Sequence, residues 1–95
     1  MNFTAENIFT MNEGIVFRTN KDGTVVVMKM NDDEVFYKID GVAAEMFQKI
    51  STNEMTLGKI VEDLANEYSV PTSKIMEDAQ PFLSRATSLE LVSVR

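Results

Sequence analysis

In residues 34–50 the chain reads EVFYKIDGVAAEMFQKI, and this segment contains a strand signal followed directly by a helix signal. Residues 35–39 combine β-branched and aromatic side chains, which are enriched in sheets. Asp40 is a candidate N-cap residue, because its carboxylate can accept hydrogen bonds from the first helical turn. Apolar residues then recur at helical spacing, at Val42, Ala43, Met46, Phe47 and Ile50. The chain is therefore expected to pass from a sheet into a helix here.

Two further strands are predicted before this segment. Residues 15–17 and 24–30 are rich in strand-forming side chains, and residues 20–23, Asn-Lys-Asp-Gly, form a turn between them. Residues 31–33, Asn-Asp-Asp, form a second predicted turn that leads into the third strand at residues 34–39. Because both connections are short, the three strands are expected to form an antiparallel meander.

Three helices are predicted after the strands. The first spans about residues 41–50. The second is capped by Thr56, and its apolar residues recur at alternating spacings of three and four as far as Tyr68. The third begins near residue 72 and contains Pro81, which costs about 3 kcal/mol in a helix interior. A kink at Pro81, or a break into two short helices, is therefore expected.

This order of elements predicts an α+β fold. An N-terminal three-stranded antiparallel sheet is followed by three helices, an arrangement similar to a winged helix-turn-helix domain. Residues 91–94 alternate loosely and are expected to add a last strand or wing. A chain of 95 residues is expected to form one domain, 1–95, in which residues 1–14 are irregular and pack on the core or on a neighbouring copy.

The composition excludes several kinds of catalytic site. The chain has no cysteine and no histidine, so it lacks a thiolate nucleophile, a histidine-based triad and a Cys-type zinc site. Adjacent carboxylates occur at residues 32–33, 62–63 and 77–78. The first pair is explained by turn chemistry, and neighbouring residues on a helix point in different directions. We therefore expect a protein that is not an enzyme and holds no metal or cofactor.

The charge pattern disfavours nucleic-acid binding. The formal net charge is −6, and no two of the nine lysine and arginine residues are closer than three positions apart. A phosphate-binding surface needs clustered cations. A winged helix that binds DNA is therefore disfavoured. A structural or oligomerising module, in which a homodimer forms through unpaired sheet edges, stays open as an alternative.

Targeting signals are not found in the sequence. The first six residues, MNFTAE, lack the positive charge and the apolar run of a secretory signal. No apolar stretch approaches the roughly 20 residues that cross a bilayer. A cytoplasmic location is expected.

Several of these features together resemble pyrroloquinoline quinone biosynthesis protein D (PqqD) and its relatives over about the last two thirds of the chain. In that family a strand of bulky residues precedes the first helix, as residues 36–40 do here. The pair Met46-Phe47 matches the family's first helix, and Leu64-x-x-x-Tyr68 matches the second. Asp78 before Phe82-Leu83 matches the third, whereas Glu90 stands where the family often has glycine.

The resemblance implies a peptide-recognition element of a system that modifies ribosomally made peptides. Such a protein holds the leader segment of a precursor peptide as an extra strand on the third strand, packed against the third helix, and presents it to a separate enzyme such as a radical-SAM maturase. Since side chains alternate along a strand, one of Phe36 and Tyr37 is expected to face the core. The peptide-binding residues implied in this way are Glu34, Val35, Phe36, Tyr37, Lys38, Ile75, Met76, Ala79, Phe82 and Leu83.

Overall fold

The computed structural model describes residues 3–30, 32–52 and 54–95, with the backbone alone at residues 32–35. This part of the chain holds six strands and three helices. In chain order they are β1 (Ile8–Met11), β2 (Ile15–Thr19), β3 (Val25–Lys29), β4 (Asp32–Ile39), α1 (Gly41–Thr52), β5 (Met55–Thr56), α2 (Leu57–Tyr68), α3 (Thr72–Ser88) and β6 (Val92–Val94). The α+β class predicted from the sequence is confirmed.

The predicted meander is present as an antiparallel sheet in the order β2-β3-β4. Phe17 pairs with Val27, which pairs with Tyr37. The register shifts beyond Met28, so that Lys29 pairs with Asp32. Strand β4, the third strand of this sheet, therefore begins at Asp32, within the segment that was predicted to be a turn.

A second small sheet corrects the expectation that residues 1–14 are irregular. Strand β1 lies between β5 and β6 and is antiparallel to both. Its Phe9 is fully buried and meets the ring of Phe3 edge to face at 5.2 Å. The N–H groups of Ile8 and Arg95 each donate to the other residue's carbonyl at 2.9 Å. These hydrogen bonds join β1 to the residue that follows β6. The strand predicted at residues 91–94 is confirmed as β6.

The core lies between the sheets and the helices. The rings of Phe17 in β2 and Phe47 in α1 meet edge to face at 5.3 Å, which is favourable for aromatic pairs. Helix α1 begins at Gly41, whose φ is +63°, and the Asp40 carbonyl accepts from the Ala44 N–H at 3.3 Å. The contact recorded between Asp40 and the first turn is therefore through its carbonyl, not through the carboxylate predicted as the cap.

Helix α2 has the ends that the sequence predicts. The Thr56 hydroxyl accepts from the Lys59 N–H at 3.2 Å. At the other end Ser69 adopts a left-handed conformation with φ of +56°, and the Val70 N–H donates to the Ala65 carbonyl at 3.0 Å. The predicted stripe is buried at Leu57, Ile60, Val61, Leu64 and Ala65.

Helix α3 continues through Pro81, so of the two expected outcomes, a kink or a break into two short helices, the break does not occur. A proline cannot donate to the carbonyl four residues earlier, which here belongs to Glu77. Both Pro81 and Glu77 are exposed, so water can solvate that carbonyl. One buried stripe, Ile75, Ala79, Leu83 and Ala86, holds the helix on the core.

A left-handed residue ends α3. The Leu91 N–H donates to the Ala86 carbonyl at 2.9 Å and the Glu90 N–H donates to the Thr87 carbonyl at 3.1 Å, which is the Schellman pattern. In this pattern Glu90 takes the left-handed position, with φ of +62°. Glycine suits this position best because it has no Cβ atom.

Glu90→Gly should therefore stabilise the protein by about 1 kcal/mol. For a domain of this size the change corresponds to a rise in Tm of about 4–8 °C. Chemical denaturation of the two proteins measures it. Glu90→Ala is the matched control, since it removes the carboxylate and keeps the Cβ atom. Equal stabilisation by alanine and glycine would contradict this account.

The β2–β3 turn gives a second prediction. The Thr24 hydroxyl and the Thr24 N–H donate to the Asp22 carboxylate at 2.7 and 3.0 Å, and these bonds hold the pKa of Asp22 below its ordinary value. The carboxylate therefore contributes stability that is present above its unfolded pKa and is lost as the pH falls through the lower folded pKa.

A pH titration of the Asp22 carboxyl carbon by NMR tests this assignment. Thr24→Val should move the titration midpoint up towards the ordinary value, because it removes the donor with the largest effect. Thr24→Ser keeps the hydroxyl and should leave the midpoint low. An unchanged midpoint in the valine variant would show that the hydroxyl does not hold the carboxylate.

Candidate functional site

A groove lies between the edge of β4 and the C-terminal half of α3. In its sheet β4 pairs with β3 alone, so its other side is an open edge. A cleft of about 360 Å³ opens beside this edge, and we call it the β4–α3 groove. It is lined by Phe36, Tyr37, Lys38, Ile39, Asp40, Ala43, Phe82, Arg85, Ala86, Leu89 and Leu91.

Strand β4 presents different residues to its two faces. Tyr37 and Ile39 are half-buried and pack on the core, whereas Phe36 is 63% exposed and Lys38 is exposed. The expectation that one of the two adjacent aromatic residues faces the core is confirmed, and that residue is Tyr37. Phe36 shares the outer face of the sheet with Met28, its partner in the register.

The helical wall of the groove comes from one face of α3 and the residues after it. Phe82, Arg85, Ala86 and Leu89 follow the spacing of a single helix face. Phe82 and Leu89 are half-buried and Arg85 is exposed. The groove therefore combines an apolar wall, an unpaired strand edge and a positively charged side chain.

The described side chains that line the groove include three charged ones, Lys38, Asp40 and Arg85. Lys38 also attracts the Asp22 carboxylate and is a minor cause of its lowered pKa. The ion pairs between described side chains lie elsewhere on the surface, at Lys49–Glu67, Lys59–Asp63, Lys74–Asp78 and Arg95–Glu54. Among the described groove side chains the balance of charge is thus positive, on a chain whose net charge is −6.

Four of the residues implied by the family resemblance line this groove: Phe36, Tyr37, Lys38 and Phe82. Glu34 and Val35 belong to the same strand, and their side chains lie outside the described part of the structure. The predicted edge strand and the predicted helix therefore do form the two sides of one cleft.

The other four implied residues lie elsewhere. Ile75, Ala79 and Leu83 are at most 2% exposed and belong to the core. Met76 lines a separate cleft of about 380 Å³, together with Ala5 and Gly58. The face of α3 that lines the β4–α3 groove therefore lies one to two turns further along the helix than these four residues, and it meets the buried stripe at Ala86.

The groove also contains residues that sequence reasoning missed, namely Ile39, Asp40, Ala43, Arg85, Ala86, Leu89 and Leu91. One signal was available, because Phe82 and Leu89 are seven positions apart and lie on the same helix face. Nothing local distinguishes Ala43 or Leu91 as groove residues, since their place there depends on how distant elements pack.

Chemistry at this site is limited by the side chains present. Within the described residues, no group of three or more Asp and Glu side chains is placed to hold a metal ion. The same part of the chain contains no helix long and apolar enough to cross a membrane.

An apolar cleft beside an unpaired strand edge is suited to hold an extended segment of polypeptide.

These features define an α+β domain similar to a winged helix-turn-helix domain, with a groove between its edge strand and its last helix. The family model described as Coenzyme PQQ synthesis protein D (PqqD) matches residues 22–92, and the chain therefore belongs to this family. The resemblance found in the sequence is confirmed. No curated protein matches the chain.

A solved structure supports the same fold. It shows TbiB1 in complex with the TbiA(beta) leader peptide and superposes with a TM-score of 0.77. The similarity covers 88% of this chain and 94% of that one, at 20% sequence identity. At this identity the similarity establishes a shared fold.

The division between core and groove residues predicts different effects on stability. Leu83→Ala should lower the free energy of unfolding by about 2–5 kcal/mol, because Leu83 is fully buried. Phe36→Ala should cost less than about 1 kcal/mol, since most of the Phe36 side chain is already in water. Urea denaturation of the two variants measures the difference. Equal losses would place Phe36 in the core.

Proposed function

We propose that the protein is a non-catalytic adaptor that binds the leader segment of a ribosomally made precursor peptide and presents it to a separate modifying enzyme. The observation that carries this proposal is the open edge of β4 beside an apolar groove. The peptide would add to β4 as a further strand, with its side chains packed against Phe82 and Leu89.

Strand addition assigns different roles to the two sides of the groove. Main-chain hydrogen bonds to β4 provide affinity that does not depend on the peptide sequence, whereas pockets for alternate side chains provide specificity. A cleft of about 360 Å³ has room for a few side chains and not for a folded partner. The groove therefore suits a short extended segment.

The comparisons support a leader peptide as the ligand. The chain belongs to the PqqD family, and the TbiB1 structure that shares its fold contains a leader peptide. The partner enzyme in this proposal is a radical-SAM or another maturase, and the adaptor works in the cytoplasm. Without cysteine or histidine the chain itself lacks the usual catalytic groups, so the chemistry belongs to the partner.

Hydrogen exchange tests the proposed binding mode. Along an edge strand, successive N–H groups point alternately to the neighbouring strand and to the open side. In free protein, two alternate amides among residues 36–39 should therefore be protected and the other two should exchange rapidly. Leader peptides from short reading frames encoded beside the protein should protect the second pair, as measured by NMR.

A variant that fills the groove provides the mutational test. Ala43→Phe places a large ring in the cleft from α1 and should reduce the affinity at least tenfold, as measured by titration of labelled leader peptide. Ala43→Ser keeps the side chain small and should bind normally. Val16→Phe is a second control, since Val16 is 44% exposed on a different strand and does not line the groove.

Two outcomes would contradict the proposal. Binding that survives in the Ala43→Phe variant would place the peptide elsewhere on the surface. Protection of the β4 edge that increases with protein concentration, with no peptide present, would show that a second copy of this chain occupies the edge. The second result would favour the alternative of an oligomerising module.

A further inference from the structure

Arg85 is a charged residue of the groove that the proposed apolar contacts do not use. It lies on the same face of α3 as Phe82 and Leu89, which supply the apolar wall. It is exposed, and the ion pairs between described side chains do not include it. A guanidinium carries five N–H donors that can bind a molecule entering the groove.

We propose that Arg85 is a specificity-determining residue that selects peptides carrying an aspartate or glutamate opposite the C-terminal half of α3. This inference rests on the proposed function and adds to it the chemical class of the peptide. A guanidinium binds a carboxylate through two parallel N–H···O bonds, which are among the stronger polar contacts in proteins.

The charges around Arg85 support this choice of ligand. The described groove side chains include two cations and one anion, so a carboxylate is attracted locally although the net charge of −6 repels it at long range. Lys38 is the other cation among the described groove residues, and it lies on the outer face of β4, whereas Arg85 shares the α3 face of Phe82 and Leu89. Arg85 is therefore the better candidate for the carboxylate contact, while Asp40 disfavours a second carboxylate at the α1 end.

Arg85 also lies near the C-terminus of α3, where a positive charge interacts favourably with the helix dipole. This local role alone predicts that replacement changes stability and leaves peptide preference unchanged. A selection for peptide sequence separates the two roles, because helix stability has no effect on which peptide side chain is preferred.

The probe is a library of random twelve-residue peptides, each joined to its display carrier through its C-terminus. No free terminal carboxylate is therefore present. Peptides retained by the purified wild-type protein should be enriched in Asp or Glu at one position. Because alternate side chains of a strand share a face, this position should lie an even number of residues from the preferred apolar positions.

Charge reversal then identifies the recognising residue. Arg85→Glu should shift the preference at that position from Asp or Glu to Lys or Arg. Lys74→Glu is the matched control: it makes the same change in net charge on the same helix, at a residue that is paired with Asp78 and does not line the groove. The control should keep the wild-type preference.

A double-mutant cycle measures the contact. In the best retained peptide, replacing the acidic residue by its amide should raise the Kd of wild-type protein about tenfold. The same replacement should have little effect on binding to Arg85→Gln. In the Lys38→Gln variant, replacing the acidic peptide residue by its amide should still raise the Kd by more than it does in Arg85→Gln.

The outcomes distinguish the two levels of the proposal. Retained peptides with apolar positions but no acidic one, or an Arg85→Glu variant with the wild-type preference, would overturn the role of Arg85 and leave the groove as a peptide site. If the wild-type protein retains no peptide above background, the proposed function fails, and the role of Arg85 fails with it.

Discussion

The one-sided pairing of β4 is the constraint on which the rest of the site depends. Its partner β3 satisfies half of its backbone hydrogen-bonding groups, and the pleat turns Tyr37 and Ile39 into the core. Because β4 pairs with β3 on that side only, its opposite edge keeps backbone groups without a strand partner. Helix α1 begins directly after β4, and its Ala43 is small enough to leave the space beside that edge open.

The second wall of the groove is positioned by contacts far away in the chain. The Gln80 amide in the middle of α3 accepts from the Phe3 N–H at 2.7 Å and donates to the Phe3 carbonyl at 3.0 Å. Beyond the end of α3, β6 pairs with β1, and the Asn12 N–H donates to the Leu91 carbonyl at 3.0 Å. The N-terminal segment therefore holds α3 at its middle and just after its end.

These long-range contacts explain which parts of the structure could be predicted from the sequence. Helix α2 has a local cap at Thr56 and a regular apolar stripe, so its ends followed from the sequence alone. Strand β1 has four residues, and its partners lie more than forty residues away, so no local pattern reveals it. On α3 the buried stripe with Leu83 and the groove stripe with Phe82 are adjacent, and periodicity does not tell which one meets the core.

The end of α3 connects stability with the shape of the groove. Leu89 and Leu91 both line the groove, and the chain reverses direction between them at the left-handed Glu90. The reversal buries Leu91 in the core while Leu89 stays on the groove wall. A residue other than glycine makes this reversal costly, and residues in such conformations persist only when surrounding contacts require them. Here those contacts are the Schellman hydrogen bonds and the Asn12 side-chain amide, which donates to the Glu90 carbonyl at 2.7 Å. The same hydrogen bonds that close α3 thus also hold the far end of the groove.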